Sequence, residues 1–259
     1  MNNQIRNTAS IVLIVFLAIW TSMFVGCQKN KNGKGTESNE RIVYVHDTIV
    51  TMPEGEFIYN IPCKVVNIHQ EKEGKSLLFI WLHGGVKDRS MHDLFETNHL
   101  DCCQADDRVL NYLQENSIKS IALFPICHKA KPNNCAVWKD CYSDVMRMIR
   151  DLVDKGVVDD KRIFLAGSSD GGAGTWDYLQ MNEHIFAAAM PMSCSNPRKT
   201  SIPVYFFNTK QETDCTQQVE SLNRQGSNIE YKRVDTWHGG DDIECTDSFL
   251  DRYFSNKKK

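Results

Sequence analysis

Residues 163–174, IFLAGSSDGGAG, decide how this chain folds. An apolar run leads directly into serines and an aspartate crowded by glycines, and GTWDYLQM continues with the composition of a helix. This order predicts a buried strand, a sharp turn and a helix. Residues 167–171 match the pattern G-x-S-x-G, which in this context lifts its middle serine above the edge of a sheet. The sequence therefore predicts an exposed hydroxyl at Ser169, with Ser168 as its rival in the same turn.

Strand and helix patterns alternate through the rest of the chain. SLLFIWL at 76–82 is a continuous apolar run, as expected for a strand buried on both faces of a parallel sheet. Residues 142–156 carry apolar side chains at helical spacing and end at a glycine. Further strands are predicted at SIALFP, RIFLA, FAAAMPM, PVYFFN and IEYKRVD, with antiparallel strands at RIVYVHDTIV and FIYNIPCKVV. We therefore expect an α/β fold, with a mostly parallel central sheet flanked by helices on both faces.

The start of the chain has the pattern of an export signal. The apolar run IVLIVFLAIW is too short to span a bilayer, and a small residue precedes Cys27, which resembles a bacterial lipobox. We expect a signal peptide at 1–26, lipidation of Cys27, a flexible tether at 27–40 and the folded domain at 41–259. This predicts an exported protein of the bacterial cell envelope, held by its lipid at the outer membrane or the cell surface. An ordinary signal peptide is the alternative.

Charge and cysteine content narrow the function classes. The net charge of −3 gives no basic surface for nucleic acid. Ten cysteines fit an oxidising compartment, and the nine that follow Cys27 cannot all pair with one another. A zinc site from the ligands Cys127, His128, Cys135 and Cys141 has spacings unlike those of a zinc ribbon or finger, so we expect no metal and no cofactor.

Two further segments complete the chemistry suggested by Ser169. LFIWLHGGV places glycines after an earlier buried strand, where backbone N–H groups near Gly84, Gly85 and Val86 would join that of Asp170 in an oxyanion hole. His83, which directly precedes these glycines, is expected to brace the loop. VDTWHGGDD places His238 after the last strand, where the base of a Ser–acid–His order belongs.

Together these segments resemble the α/β-hydrolase superfamily, in particular secreted esterases of the feruloyl esterase and polyhydroxybutyrate depolymerase type. The resemblance covers residues 60–255 and includes GVVDDKRIFLAGSSDGGAGTWDYL and the following IFAAAMPMS. It implies a doubly wound sheet and ester hydrolysis through an acyl-serine. Small-molecule or polymer-fragment esters, including glycan-linked acyl or aryl esters, would be the substrates.

The resemblance departs from the family at the acid of the triad. The family places this acid just after the strand PVYFFN, where this chain has Gln211. Asp214 and Glu212 are the nearby carboxylates, and we rank Asp214 first. A disulfide from Cys215 would tie this loop to Cys245 near the histidine loop, or alternatively to Cys194.

Two tryptophans are aromatic candidates for substrate contact. Trp138 lies in the long loop 126–141 and is expected to stack on a sugar or aryl group, whereas Trp176 is expected to pack in the core. Two other functions stay open. One is an exported serine peptidase that uses the same residues, and the other is a degenerate, non-catalytic hydrolase that binds a glycan or a protein, which Gln211 would favour.

Overall fold

The computed structural model describes residues 42–45, 48–51, 63–85, 103–127 and 136–258. The predicted signal peptide at 1–26, the lipidation site Cys27 and the whole tether at 27–40 lie outside these ranges. No helix within the described ranges is both long and apolar enough to cross a bilayer.

The described strands form one large sheet and one small hairpin. In chain order they are β1 Ile42–Val45, β2 Thr48–Thr51, β3 Cys63–Ile68, β4 Ser76–Leu82, β5 Ser120–Pro125, β6 Val158–Ser168, β7 Ala188–Met192, β8 Pro203–Thr209 and β9 Asn228–Val234. The large sheet has the order β3-β5-β4-β6-β7-β8-β9. Only β3 among its described strands runs antiparallel to its neighbour. The small hairpin pairs β1 with β2 in antiparallel register, so the predicted strand RIVYVHDTIV contains two strands.

Helices connect most of the consecutive parallel strands, but β7 and β8 are joined without one, and the last helix follows β9. They are α1 Ala105–Glu115, α2 Tyr142–Asp154, α3 Asp170–Asn182, α4 Thr216–Arg224 and α5 Asp247–Ser255, with short 3₁₀ turns at Trp138–Cys141, Glu183–Ile185 and Gly240–Glu244. The last of these turns follows directly on the predicted histidine loop.

The pleat of β4 explains why one sheet carries two cores. Every residue of β4 is buried. Leu78, Ile80 and Leu82 join the core that covers one face, and Leu77, Phe79 and Trp81 join the other. Helix α2 packs its apolar stripe into the first core, while α1 and α5 pack into the second. This confirms the predicted α/β architecture with a mostly parallel sheet and helices on both faces.

The register of the parallel strands brings the predicted loops together. Leu82 at the end of β4 lies beside Gly167 on β6, and Ser168 lies beside Met192 on β7. Met192 in turn lies beside Phe207 on β8. The loops that follow β4, β6, β7 and β8 therefore leave the same edge of the sheet, which is the usual place for a site in an open α/β fold.

Candidate active site

Ser169 occupies a strained turn between β6 and α3. Its backbone has φ 56° and ψ −117°, a conformation that side chains other than glycine adopt at a cost of order 1–3 kcal/mol. The Ser169 N–H donates to the carbonyl of Met192 on β7 at 3.0 Å, which fixes the turn to the neighbouring strand. The strain agrees with the predicted elbow, since it holds the hydroxyl clear of the sheet edge at the start of a helix.

The glycines of the motif are required by close backbone contacts. A Cβ on Gly167 would lie 2.5 Å from the Gly171 carbonyl oxygen, and a Cβ on Gly171 would lie 1.7 Å from the Leu82 carbonyl oxygen. On Gly172 a Cβ would lie 2.3 Å from the carbonyl oxygen of Met192. Helix α3 can therefore start this close to β4 and β7 only because these positions carry no side chain.

A continuous hydrogen-bonded chain joins Ser169, His238 and Glu212. The Ser169 Oγ lies 3.0 Å from His238 Nε2, and His238 Nδ1 lies 2.6 Å from Glu212 Oε1. With a carboxylate at Nδ1, that nitrogen carries the proton, and Nε2 is left to accept the proton of the serine hydroxyl. The arrangement therefore provides a nucleophile, a general base and an orienting acid in the geometry of a catalytic triad.

Glu212 is held in place by the end of β8. Its Oε2 accepts hydrogen bonds from the backbone N–H of Thr209 at 2.7 Å and from the Thr209 hydroxyl at 2.5 Å. Burial opposes ionisation of this side chain, but the hydrogen bonds from Thr209 and His238 outweigh it and keep the pKa of Glu212 below its ordinary value. The carboxylate is therefore ionised at neutral pH and is aimed at the imidazole.

The ranking of Asp214 ahead of Glu212 is wrong for this structure. Asp214 accepts hydrogen bonds from the backbone N–H and hydroxyl of Thr216, at the start of α4, and pairs with Arg233 at 3.3 Å. Its carboxylate therefore serves the helix terminus. Gln211, which occupies the position where the family's acid was expected, accepts the backbone N–H of His238 at 3.0 Å and so supports the same loop.

The HGG turn lies beside the start of α3. Gly171 packs against the backbone of Leu82 and His83, so the turn borders the elbow. Gly84 is buried, Gly85 is exposed, and Val86 lies outside the described residues. Asp170 is the first residue of α3, where backbone N–H groups have no acceptor within the helix. The structure thus brings the predicted oxyanion donors of Asp170 and the glycine turn to the same end of the sheet as Ser169.

His83 braces this turn, as predicted. Burial lowers the pKa of His83 to about 4, so its ring is neutral at physiological pH. Its Nδ1–H donates to the carbonyl of Gly84 at 2.7 Å, and its Nε2 accepts the N–H of Cys127 at 3.0 Å. Holding the Gly84 carbonyl fixes the plane of the Gly84–Gly85 peptide, and with it the direction of the Gly85 N–H.

The expectation that Trp138 contacts substrate is wrong. Trp138 is 2% exposed and packs against Gly174 of α3, where an added Cβ would lie 2.6 Å from it. Its indole N–H donates to the carbonyl of His83 at 3.0 Å. Trp138 therefore supports the glycine turn from inside the protein. Trp176 is 1% exposed and packs in the core, as expected.

The aromatic side chain that is exposed beside the site is one that the sequence patterns did not predict. Trp237 immediately precedes His238 and is 54% exposed, and Ile243, in the 3₁₀ turn that follows the same loop, is 49% exposed. The position of Trp237 next to His238 in VDTWHGGDD was the sequence signal that could have identified it. Large apolar side chains exposed together on the loop that carries His238 form the kind of surface that marks a ligand or interaction site.

Neither predicted disulfide forms among the described cysteines. Cys194, Cys215 and Cys245 are all buried thiols. Cys215 belongs to the core on one face of the sheet and Cys245 to the core on the other, so the sheet separates them. The sulfur atoms of Cys127 and Cys141 lie 3.2 Å apart. Two of the weighed zinc ligands, at positions 128 and 135, lie outside the described ranges, within which no group of three metal-ligating side chains is found.

The topology and the placement of this site define an α/β-hydrolase fold. A comparison with family models matches residues 136–240 to the prolyl oligopeptidase family. That range contains the elbow, the orienting acid and the histidine loop. No curated protein sequence matches the chain.

Solved structures with the same fold include several esterases. A thermostable esterase superposes with a TM-score of 0.61 at 19% identity, covering 76% of this chain and 59% of its own. Est1E from Butyrivibrio proteoclasticus, bound to ferulic acid, gives 0.52 at 14% identity, covering 76% and 97%. An esterase from Pyrobaculum calidifontis gives 0.51 at 13% identity, covering 75% and 79%. The chain therefore spans about three fifths of the length of the thermostable esterase, and at these identities the likeness is one of fold.

Proposed function

We propose that the protein is a serine hydrolase that cleaves carboxylic esters through an acyl-Ser169 intermediate. The observation that carries the proposal is the unbroken chain from Ser169 Oγ through His238 to Glu212, with distances of 3.0 and 2.6 Å. Five-residue serine motifs recur by chance, but an imidazole and a carboxylate from two other loops meeting at this serine do not follow from the motif alone.

The reaction would proceed in two acyl transfers. His238 Nε2 takes the hydroxyl proton as Ser169 Oγ attacks the ester carbonyl, and the oxyanion forms near the N–H of Asp170 and the Gly84–Gly85 turn. Collapse of this tetrahedral intermediate breaks the bond to the alcohol, which leaves with the proton from His238. Water, deprotonated by the same imidazole, then attacks the acyl-serine and releases the carboxylic acid.

The supporting groups have separate tasks. Ionised Glu212 stabilises the imidazolium that forms in each step and keeps the Nδ1 proton in place. The strained Ser169 backbone and the bracing by His83 preorganise the nucleophile and the glycine turn, so little reorganisation is needed as charge develops. This division of tasks removes the main support for a non-catalytic protein, since Glu212 supplies the acid that Gln211 lacks.

For the substrate we propose esters with an apolar or ring-containing group. Trp237 and Ile243 offer the apolar surface, and glycan-linked acyl or aryl esters on polymer fragments fit it. Peptide bonds are the second candidate class, because the match to the prolyl oligopeptidase family covers the residues of the site.

The full-length protein provides the test with two matched variants. Hydrolysis of p-nitrophenyl acetate and butyrate, and labelling by a fluorophosphonate, should both be lost in Ser169→Ala and kept in Ser168→Ala. Peptide p-nitroanilides run in parallel decide between ester and amide cleavage. A wild-type protein that neither turns over an ester nor reacts with the probe, or a Ser169→Ala variant with full activity, would refute the proposal.

We also propose that the protein is exported and lipid-anchored through Cys27. The supporting pattern is the short apolar run followed by a small residue and a cysteine. Metabolic labelling with a radioactive fatty acid should mark the wild-type chain and leave Cys27→Ser unlabelled, with the variant recovered outside the membrane fraction. Equal labelling of both chains would contradict this assignment.

A further inference from the structure

A second buried carboxylate lies on the histidine loop, outside the triad. Asp241 lies three residues after His238 in the chain and is fully buried. Its Oδ2 accepts the backbone N–H of Ser193 at 2.8 Å, and its Oδ1 accepts the Ser193 hydroxyl at 2.8 Å. Both carboxylate oxygens are thus committed to one residue in the turn that follows β7.

The Ser193 hydroxyl passes this contact on to the neighbour of the catalytic histidine. Its Oγ accepts the backbone N–H of Gly239 at 2.9 Å. Because the hydroxyl hydrogen is donated to Asp241, the lone pairs of the oxygen are left to face Gly239. Gly239 adopts φ 88°, which a side chain would resist, and it directly follows His238. The hydrogen bond from the Gly239 N–H to the Ser193 hydroxyl therefore fixes the backbone immediately after His238.

The turn that carries Ser193 also holds the nucleophile. Met192, one residue earlier, accepts the backbone N–H of Ser169 at 3.0 Å. Ser193 itself has φ 46°, and its N–H also donates to Phe207 on β8 at 3.0 Å. Met192 therefore anchors the nucleophile turn at Ser169, and the next residue, Ser193, anchors the histidine loop at Gly239.

We propose that Asp241 and Ser193 are positioning residues that set the distance between the His238 imidazole and the Ser169 hydroxyl. The proposal rests on the proposed serine hydrolase function and deepens it. Neither residue takes part in proton transfer. Their effect on catalysis is to keep Nε2 within hydrogen-bonding reach of the hydroxyl during both acyl transfers.

The surroundings of Asp241 show that this contact is costly. Burial raises the pKa of Asp241 to about 6, the hydrogen bonds from Ser193 oppose that rise, and the nearby charge of Glu212 adds to it. The buried thiols of Cys194 and Cys245 also face Asp241. A loop held only for stability would be packed more cheaply by apolar side chains, because a buried charge carries a desolvation penalty.

The experiment compares Ser193→Ala, Asp241→Asn and their double variant in the full-length protein. Asp242→Asn is the matched control, since it lies next in the chain and pairs with Arg108 at 2.7 Å, away from Ser193. Each single variant should lower kcat for p-nitrophenyl butyrate by about 10²-fold with little change in KM, as a misplaced catalytic group does. The double variant should lose no more than the worse single variant, because the two residues act as a unit.

A spectroscopic readout keeps this test separate from that of the proposed function. The hydrogen-bonded Nδ1 proton of His238 should give a downfield proton NMR signal, assigned by its loss in His238→Asn. We expect that signal to weaken or broaden in Ser193→Ala and Asp241→Asn and to persist in Asp242→Asn. An inactive wild type refutes the hydrolase alone. Wild-type kcat and NMR signal in both single variants, an effect confined to KM, or losses that multiply in the double variant would overturn the positioning role.

Discussion

Replacing Glu212 by glutamine tests the triad at the level of a single proton. In the wild type, Oε2 accepts two hydrogen bonds from Thr209, while Oε1 faces His238 Nδ1. A backbone N–H can only donate, so the amide oxygen of a glutamine must remain on the Thr209 side. The amide NH₂ then faces Nδ1 as a donor, and Nδ1 has to become an acceptor.

This exchange moves the ring proton to the wrong nitrogen. With Nδ1 accepting, Nε2 carries the hydrogen and points it at the Ser169 hydroxyl, so the imidazole cannot take the serine proton. In a serine protease triad the equivalent loss of charge and tautomer lowers kcat about 10⁴-fold, or about 5.5 kcal/mol in the activation free energy. We expect a loss of the same size in Glu212→Gln, with KM nearly unchanged.

Steady-state kinetics of p-nitrophenyl butyrate hydrolysis measure this loss in kcat. Asp214→Asn is the matched control. Asp214 bonds to Thr216 and Arg233, so its amide variant should keep the wild-type kcat. Wild-type kcat in Glu212→Gln, or the large loss in Asp214→Asn instead, would refute the role of Glu212.

Three further predictions follow from burial and close contact. Because burial raises the pKa of Asp241 from the ordinary 3.8 to about 6, the folded state holds an extra proton, and stability is lost as pH rises through this window, by about 3 kcal/mol; urea unfolding of Asp241→Asn across the same range should lack that slope. Trp138→Ala should lower the unfolding free energy by about 3–5 kcal/mol, whereas Trp237→Ala should leave it unchanged and raise KM for aryl esters more than for p-nitrophenyl acetate; the opposite pattern would reverse the assignment of the two tryptophans. Gly171→Ala places a methyl 1.7 Å from a backbone carbonyl oxygen and should abolish activity and lower the melting temperature sharply. Gly226→Ala, whose methyl meets nothing within 4 Å but whose φ of +92° a side chain resists, should lower the melting temperature only modestly and keep activity.

The elbow and the sheet were predictable because their causes are local. An apolar run that ends in glycine, serine and aspartate reports both the buried strand and the turn. The glycines at 167 and 171 have a single steric reason, which the sequence pattern already encodes. His238 was predictable for a related reason, since chain order places the base after the last strand.

The acid was harder to predict because two carboxylates stand close together after β8. Glu212 and Asp214 are separated by one residue, and no sequence pattern distinguishes one from the other. What decides between them is that Thr209 donates two hydrogen bonds to Glu212, whereas Thr216, the first residue of α4, donates two to Asp214. These contacts depend on the path of the loop in three dimensions.

The tryptophans show a similar limit. Trp138 is buried because Gly174, from a distant helix, leaves room for its ring. Trp237 contacts Gly240, where an added Cβ would lie 3.0 Å from the indole nitrogen, yet it stays 54% exposed. The amino acid type is the same in both places, and only the neighbour contributed by the fold separates them.

The burial of cysteine thiols in the two cores has a consequence for how this chain matures. Burial raises the pKa of Cys194, Cys215 and Cys245, and a thiol kept in its protonated form reacts slowly with oxidants and alkylating reagents. Once folded, these positions are chemically quiet even in a compartment that oxidises cysteines. Formation of a wrong disulfide is therefore a hazard of the unfolded chain, and the folding rate sets how long that hazard lasts.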